Sequence, residues 1–379
     1  MFYLFDVIVI GGGIAGCTTA YYLAGDGVDV LLLEQYEVNA LASGANAGSL
    51  HAQIQPEPFV DFGERWARRF LPAIPFYAES LSMWYDIEAI LGVDLEVSRD
   101  GGLVVAANAN DMNFLEAKAA LEKSVGLETV LLTAAELRDR APYISKKMVG
   151  GALCSIEGKA NPLLATPAFA AAAKDRGVVI EQGQRVTEIR RLPDYYEVQC
   201  GNRSYRALRV VNAAGTQAGN IASMLDGKIE MQSFPIQLSV TEPVSPLIDH
   251  LLYFSSEMLT LKQTKAGTIL IGGGWPAVLD KQQQPRVKGS SLYNNLLIAV
   301  RTVPAVAAAK IVRTWAAEVN GNQSWLPVIG EMPGSSGFFI NYVPWMGLSG
   351  ALAASRITAS LTQGHKPPVD FDIVPFRPG

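Results

Sequence analysis

Apolar and polar positions alternate along this chain in blocks that change period from one segment to the next. Val7–Ile10 is a β-branched run that predicts a buried strand. Ile14 to Ala24 carries apolar and small residues at helical spacing, and Val28–Leu33 is a second apolar run that ends in Glu34. Strand, glycine turn, helix and strand make one βαβ unit. Pro72 to Leu91 predicts a helix that sets Phe76, Leu81, Trp84, Ile87, Ala89 and Leu91 against a core. "GGLVVAA" (Gly101–Ala107) predicts a strand, and Asn113–Val125 a helix rich in alanine and glutamate.

A second α/β rhythm starts at Asn161. Thr166-Pro167 predicts a helix start, with the helix running to Lys174 and ending at Gly177. Val178–Glu181, Val186–Arg190, Tyr195–Cys200 and Tyr205–Ala213 read as strands, closing at "VVNAAG" (Val210–Gly215). Longer strands without helices between them then follow at Gln237–Glu242, Met258–Gln263 and Gly267–Gly274. From Gly337 the pattern gives one more strand and a long Ala/Ser helix, Gly350–Thr362, before a Pro-rich tail. No linker or repeat separates the blocks, so segments of dinucleotide-binding type are interleaved with a sheet-rich part.

Composition narrows this picture. At 379 residues the chain suits two connected domains. A hydrophobic share of 49% against 18% charged residues describes a packed globular protein, and a net charge of −5 argues against a nucleic-acid partner. Cys17, Cys154 and Cys200 form no CxxC pair, which supports neither a disulfide framework nor a metal site. The opening "MFYLFDVIVI" lacks a basic flank and runs straight into glycines, so it reads as a first strand and not a signal peptide. No window reaches the ~18 apolar residues of a membrane span. These readings predict a cytoplasmic protein, in which the sequons at Asn202 and Asn322 are chance matches.

The chemistry begins at Gly11, Gly13 and Gly16, which fit G-x-G-x-x-G directly after a strand and at a helix start. The first glycine makes the tight turn, the second lets backbone approach a pyrophosphate at the positive helix end, and the third packs helix on strand. Glu34 stands where an acid accepts hydrogen bonds from a ribose, and its charge opposes the 2′-phosphate of NADP. NAD and FAD both remain compatible with this unit. Three further small-residue loops, Leu41–Gln53, "VVNAAGTQ" and Asn341–Ser355, suggest a long ligand threaded through the domain, which favours FAD.

With these motifs in hand, the chain resembles the D-amino acid oxidase superfamily of flavoproteins. The resemblance rests on Gly11–Glu34, "ASGANAG" (Ala42–Gly48), Val186, "NAAG" and "LPVIG" (Leu326–Gly330). "NAGSLHAQ" and "LKQTKAGTILIGG" look most like the β subunits of heteromeric opine, hydroxyproline and proline dehydrogenases. The resemblance implies an α/β fold: a Rossmann-type FAD-binding domain (1–84, 151–229 and 310–379) interleaved with an α+β substrate domain (85–150 and 230–309) on a large mixed or antiparallel sheet.

It also implies roles for residues. Gly11, Gly13, Ile14, Ala15 and Gly16 carry the FAD pyrophosphate, and Glu34 with Gln35 the AMP ribose. Val186, Ala214 and Gly215 line the dinucleotide. Ser43, Gly44, Asn46, Ala47, Gly48, Ser49 and Leu50 approach the pyrophosphate and flavin, and Trp345, Met346, Gly347, Leu348 and Ser349 face the ring. No cysteine follows Cys200, so a noncovalent FAD is expected. The implied reaction moves a hydride from the Cα–H of a small amino- or imino-acid substrate to flavin N5, and the resulting imine hydrolyses. His51, Lys262, Tyr253 and Trp345 are the candidate catalytic residues, with a second flavoprotein or electron-transfer subunit as an implied partner.

The chain departs from the family at two points. Single-chain oxidases carry an arginine that grips the substrate carboxylate, and the matching position is Val319. Lys262, Arg301, Arg313 or the cluster Arg65, Arg68 and Arg69 are its candidate replacements. A lysine that promotes reaction with oxygen in sarcosine oxidase aligns near Leu270, which tilts the reading toward a dehydrogenase. A stand-alone oxidase producing peroxide, a noncatalytic flavin-stabilised assembly or electron-transfer subunit, and an NAD-only dehydrogenase are the alternatives. His250 and His365 are read as surface residues, and Trp275 as core or pocket wall.

Overall fold

Residues 3–379 are described in the computed structural model, so the first two residues of the apolar opening lie outside the described residues. Two eight-stranded sheets organise the chain. In the first, Leu4–Ile10 lies between Val30–Leu33 and Arg203–Asn212 and runs parallel to both, with Val7 paired to Val30 and Ile10 to Asn212. Val7–Ile10 and Val30–Leu33 are buried on both faces, which is why they read as continuous apolar runs and not as alternation. Val179–Glu181 extends one edge, and Phe338–Tyr342 with Val328–Glu331 the other. Tyr196–Cys200 and Glu188–Arg191 are attached as an antiparallel pair.

Helix Ile14–Gly25 packs between Pro162–Asp175 and Gly347–Thr362 against this sheet. Helix Ala73–Leu91 covers the last of these, and the Trp84 indole N–H donates to the Leu348 carbonyl at 3.0 Å. The Ala/Ser composition of Gly347–Thr362 has a packing cause: a Cβ on Gly350 would stand 2.8 Å from the Phe76 ring. Among the apolar positions assigned to the core face of Ala73–Leu91, Ala89 is exposed.

The second sheet has the order Ile311–Gly321, Gln232–Thr241, Ile269–Gly272, Thr260–Gln263, Leu251–Phe254, Gly102–Ala106, Gly150–Cys154, Val130–Thr133. It is antiparallel except where Leu251–Phe254 runs parallel to Gly102–Ala106, so it is mixed. Its strands do not follow the boundaries drawn from sequence at 150/151 and 309/310, since Gly150–Cys154 and Ile311–Gly321 both belong to it.

Several elements depart from the sequence reading. Pro162–Asp175 begins four residues before Thr166, because Asn161 caps it by accepting from the Leu163 N–H and Pro162 occupies its first turn, leaving Pro167 inside the helix. The last long helix starts at Gly347, not Gly350. Val186 precedes its strand, which begins at Glu188. Helices Pro56–Phe70 and Gly289–Thr302 and the strand Ile311–Gly321 carry no expectation from sequence; Gly63 at φ 75° kinks the first of these. Among the described residues no helix is long and apolar enough to cross a membrane. All three cysteines are free and buried.

Candidate functional site

A cleft of about 1440 Å³ runs from the carboxyl ends of the parallel strands to the face of the second sheet. Its first end is built by the glycine turn. Gly11 sits at φ +113°, and a Cβ there would stand 2.5 Å from the Ala213 carbonyl oxygen. A Cβ on Gly16 would stand 1.8 Å from the Gly11 carbonyl oxygen, so this glycine sets how closely the helix meets the strand. Gly13, Ile14 and Ala15 line the cleft where that helix starts. Glu34 is buried, accepting from the Gly12 N–H at 2.6 Å and the Tyr36 N–H at 2.7 Å. The second strand of the unit therefore delivers a carboxylate to the loop that approaches a dinucleotide.

The three distant small-residue loops converge on this same cleft. Gln35, Ser43, Asn46, Ala47, Ser49, Val186, Ala214 and Gly215 line it, as do Trp345, Met346, Gly347, Leu348, Ser349, His51 and Tyr253. Gly16, Gly44, Gly48, Leu50 and Lys262 sit behind the wall. Gly44 and Gly48 let the loop pass the Asn39 and Ala160 carbonyls, where a Cβ would stand 2.2 and 2.1 Å away. Two buried acceptors on the cleft wall, Asn39 Oδ1 and Asn341 Oδ1, have no hydrogen-bond partner among the described residues. A polyhydroxylated dinucleotide would satisfy both, and two helices, Ile14–Gly25 and Gly347–Thr362, turn their positive ends toward the same cavity. The residues present fit FAD.

The far end faces the second sheet. Trp315, Ala317 and Val319 pair across strands with Leu238, Ile236 and Phe234, and all six line the cleft as one apolar wall. Val319 therefore sits in an apolar environment. The Trp345 ring packs 4.5 Å from Phe234 and stacks 4.9 Å from Trp325, and both tryptophans hold left-handed backbone, at φ 58° and 60°. Of the cations named as replacements for an arginine at 319, Arg313 alone reaches the cleft wall. Arg301 pairs with Glu257 at 2.5 Å, and Arg65, Arg68 and Arg69 are exposed. Trp275 is half-buried against the core of the second sheet, His250 is half-buried and not a surface residue, bonding Tyr143 at 2.6 Å, and His365 is exposed.

Beside the apolar wall, on the same face of the second sheet, lies a polar group. His51 Nδ1 is hydrogen-bonded to the Tyr253 hydroxyl, and that hydroxyl donates to Glu157 Oε2 at 2.9 Å. The His51 backbone N–H donates to Ser349 Oγ at 2.7 Å, tying it to the C-terminal helix. Burial, aided by the charge of Lys262, pushes the imidazole down to about 3, so it is neutral. Lys262 donates to Ser49 Oγ, and burial, with Lys159 adding, lowers its ammonium to about 7. In the strand pairing Lys262 stands directly opposite Leu270, on the same face of the sheet.

Glu157 is the residue that no local signal marks. It is fully buried, and beyond the Tyr253 bond it accepts from the Ala52 N–H (2.6 Å), the Gln53 N–H (2.8 Å) and Gln53 Nε2 (2.8 Å). Behind it, Lys118 donates to Gln53 Oε1 at 2.7 Å and pairs with Glu122 at 2.6 Å, with both charged side chains fully buried. Among the described residues no cluster of His, Cys, Asp and Glu is placed to hold a metal ion.

A chain built on two large sheets, with a glycine-turn βαβ unit and a dinucleotide-sized cleft, defines a flavin- or nicotinamide-type oxidoreductase. The family comparison decides between them: the chain belongs to the DAO family of FAD dependent oxidoreductases, whose model matches residues 6–361. The beta subunit of sarcosine oxidase from Rhizobium meliloti is 24% identical over 341 residues, covering 87% of this chain and 77% of that protein. An opine oxidase subunit from Rhizobium meliloti is 24% identical over 330 residues, covering 83% and 81%. The crystal structure of glycine oxidase from Geobacillus kaustophilus superposes with a TM-score of 0.88 at 20% identity, covering 100% of this chain and 99% of the other. L-proline dehydrogenase from P. horikoshii gives 0.85 at 22% identity, covering 98% and 96%. The protein is an FAD-dependent oxidoreductase.

Proposed function

We propose that this chain oxidises the C–N bond of a small amino or imino acid to an imine that hydrolyses, and that it works as a dehydrogenase subunit passing electrons to a partner. The observation that carries the reading is a cleft whose dinucleotide end meets one face of the second sheet, where the polar pair His51 and Tyr253 adjoins an apolar wall. The names of the relatives, oxidases of sarcosine, opines and glycine, support the substrate class, and two of them are subunits. FAD, held noncovalently, supplies the acceptor for the hydride.

The chain's own residues do the rest. Gly11, Gly13 and Glu34 hold the adenine side, and Ser43 to Ser49 with Trp345 to Ser349 hold the ring side. The positive end of helix Gly347–Thr362 favours negative charge there. The Phe234, Ile236, Leu238, Trp315, Ala317 and Val319 wall orients the body of the substrate and excludes water. Neutral His51 offers a proton acceptor for the substrate amine.

One observation favours the oxidase alternative. Sarcosine oxidase's oxygen-promoting lysine aligns near Leu270, and here Lys262 stands opposite that position from the neighbouring strand. An anaerobic absorbance titration of the purified protein with glycine, sarcosine, D-proline, D-hydroxyproline and opines, then opened to air, tests both readings. Bleaching names the substrate class. Slow recolouring supports the dehydrogenase and fast recolouring with peroxide the oxidase, whereas a flavin that none of the panel bleaches overturns the amino-acid reading.

A further inference from the structure

We infer that Glu157 is a positioning residue which, through the Tyr253 hydroxyl, sets the proton placement on His51 and stores the proton that His51 removes from the substrate ammonium. This deepens the reading above and rests on it for the identity of the donor.

Both Glu157 oxygens are taken by donors: Oε1 by the Ala52 and Gln53 backbone N–H groups, and Oε2 by Gln53 Nε2 and the Tyr253 hydroxyl. The Gln53 amide is oriented by Lys118, which donates to its Oε1, so its Nε2 must face Glu157. Three N–H donors favour Glu157 as a carboxylate, and to a carboxylate the Tyr253 hydroxyl, which can donate or accept, donates. Tyr253 has one proton and gives it to Glu157. Its contact with His51 Nδ1 then needs a proton from the imidazole. His51 is thereby the Nδ1–H tautomer, and its Nε2 lone pair is left to the cleft that the ring lines.

The alternative proton arrangement is equally complete and holds one more proton. If Glu157 is protonated, it donates to the Tyr253 oxygen, Tyr253 donates to His51 Nδ1, and the imidazole carries its proton on Nε2. Uptake therefore proceeds by three coupled shifts. The substrate N–H bond breaks as an N–H bond forms at Nε2, the Nδ1 proton passes to the Tyr253 oxygen, and the Tyr253 proton passes to Glu157 Oε2. The substrate becomes a neutral amine, Glu157 a carboxylic acid, and no imidazolium persists. Burial favours both ends of this exchange, since it keeps the imidazole neutral and raises the Glu157 carboxyl against the pull of its hydrogen bonds.

The groups facing this array are Tyr85 and Cys154 beside Glu157, the Lys118–Glu122 pair behind Gln53, and Lys262 with Lys159 behind His51. Lys118 and Glu122 offset each other, so the proton on Glu157 neutralises a charge otherwise unmatched at this depth.

The chain has three histidines, His51, His250 and His365, so ¹⁵N-histidine labelling of the FAD-loaded protein reads them separately, with H51Q assigning the signal. The expected result at neutral pH is a His51 ring in the Nδ1–H form that changes to Nε2–H on acidification. In Glu157→Gln, whose amide donates as the protonated acid would, the ring is Nε2–H at every pH. A Glu157 that merely fastens the Ala52–Gln53 backbone would leave the tautomer unmoved. His51 found as Nε2–H in the wild type from about pH 5.5 to 9, on either side of the ordinary histidine range, overturns the inference, and it does so even if the variant fails to fold. A correct tautomer pattern with no bleaching by any amino acid leaves the relay standing and removes the proposed substrate instead.

Discussion

Lys118 and Glu122 are one turn apart on helix Ala109–Lys123, and both side chains are fully buried. Lys118→Met keeps the length of the side chain and removes its charge. Glu122 then retains only the Ile54 N–H at 2.9 Å and the Thr129 hydroxyl at 2.7 Å, and Gln53 loses the donor that orients it. Breaking one side of a buried pair costs about 3–5 kcal/mol. With an unfolding entropy of about 2.1 cal/mol/K per residue, a cooperative chain of 379 residues loses about 4–6 °C in Tm. The double variant Lys118→Met with Glu122→Gln leaves no unpaired charge, and the amide oxygen introduced at position 122 still accepts from the Ile54 N–H, so at least half of that loss returns. Thermal unfolding by circular dichroism at fixed excess FAD measures both, because bound ligand shifts Tm by itself. A single variant within about 1 °C of wild type, or a double variant no more stable than that single variant, would refute the reasoning.

Three further outcomes follow from the geometry. Lys262 titrates lower in the folded chain, at about 7, than unfolded, near 10.5; the unfolded state then binds the extra proton, so stability rises with pH between those values. Lys262→Met should accordingly raise Tm most at about pH 6, where the wild type holds a desolvated ammonium, and the gain should fade as pH climbs past about 7 toward 10; a pH-independent difference in calorimetry contradicts this. A Cβ at Gly321 would stand 2.3 Å from the Trp345 indole, so Gly321→Ala displaces the ring at a cost of about 1–3 kcal/mol and alters the near-ultraviolet dichroism, whereas an unchanged spectrum would mean the ring yields freely. Gly16→Ala pushes the helix start off the Gly11 carbonyl, and the protein should lose FAD on gel filtration with an affinity at least about tenfold weaker; retention of wild-type colour counts against the assigned cradle.

Local chemistry was legible in the chain wherever the determinant was local. The period of Val7–Ile10, Ile14 to Ala24 and Val28–Leu33, together with three glycines at fixed spacing, determined the βαβ unit and placed Glu34 at its end, because turn conformation and helix propagation are decided within a few residues. Pro58 and Gly63 broke the same logic for Pro56–Phe70, where punctuating residues sit inside a helix that closes over the kink. The strand Ile311–Gly321 sets Trp315, Ala317 and Val319 at period 2 against Glu318 and Asn320, which marks a strand with one apolar face, but the wall that face belongs to exists only once Gln232–Thr241 lies beside it.

The polar half of the site was decided by tertiary structure alone. His51 and Tyr253 are 202 residues apart, and Tyr253 and Glu157 are 96 apart. His51 and Tyr253 could be singled out by type, but their joining through Glu157 could not. The i,i+4 spacing of Lys118 and Glu122 is equally that of an exposed pair, and only the packing of their helix against Gln53 and Ile54 makes them buried charges. A hydrogen-bonded array is defined by distances of about 3 Å, and a sequence determines such distances only through the whole fold that closes them.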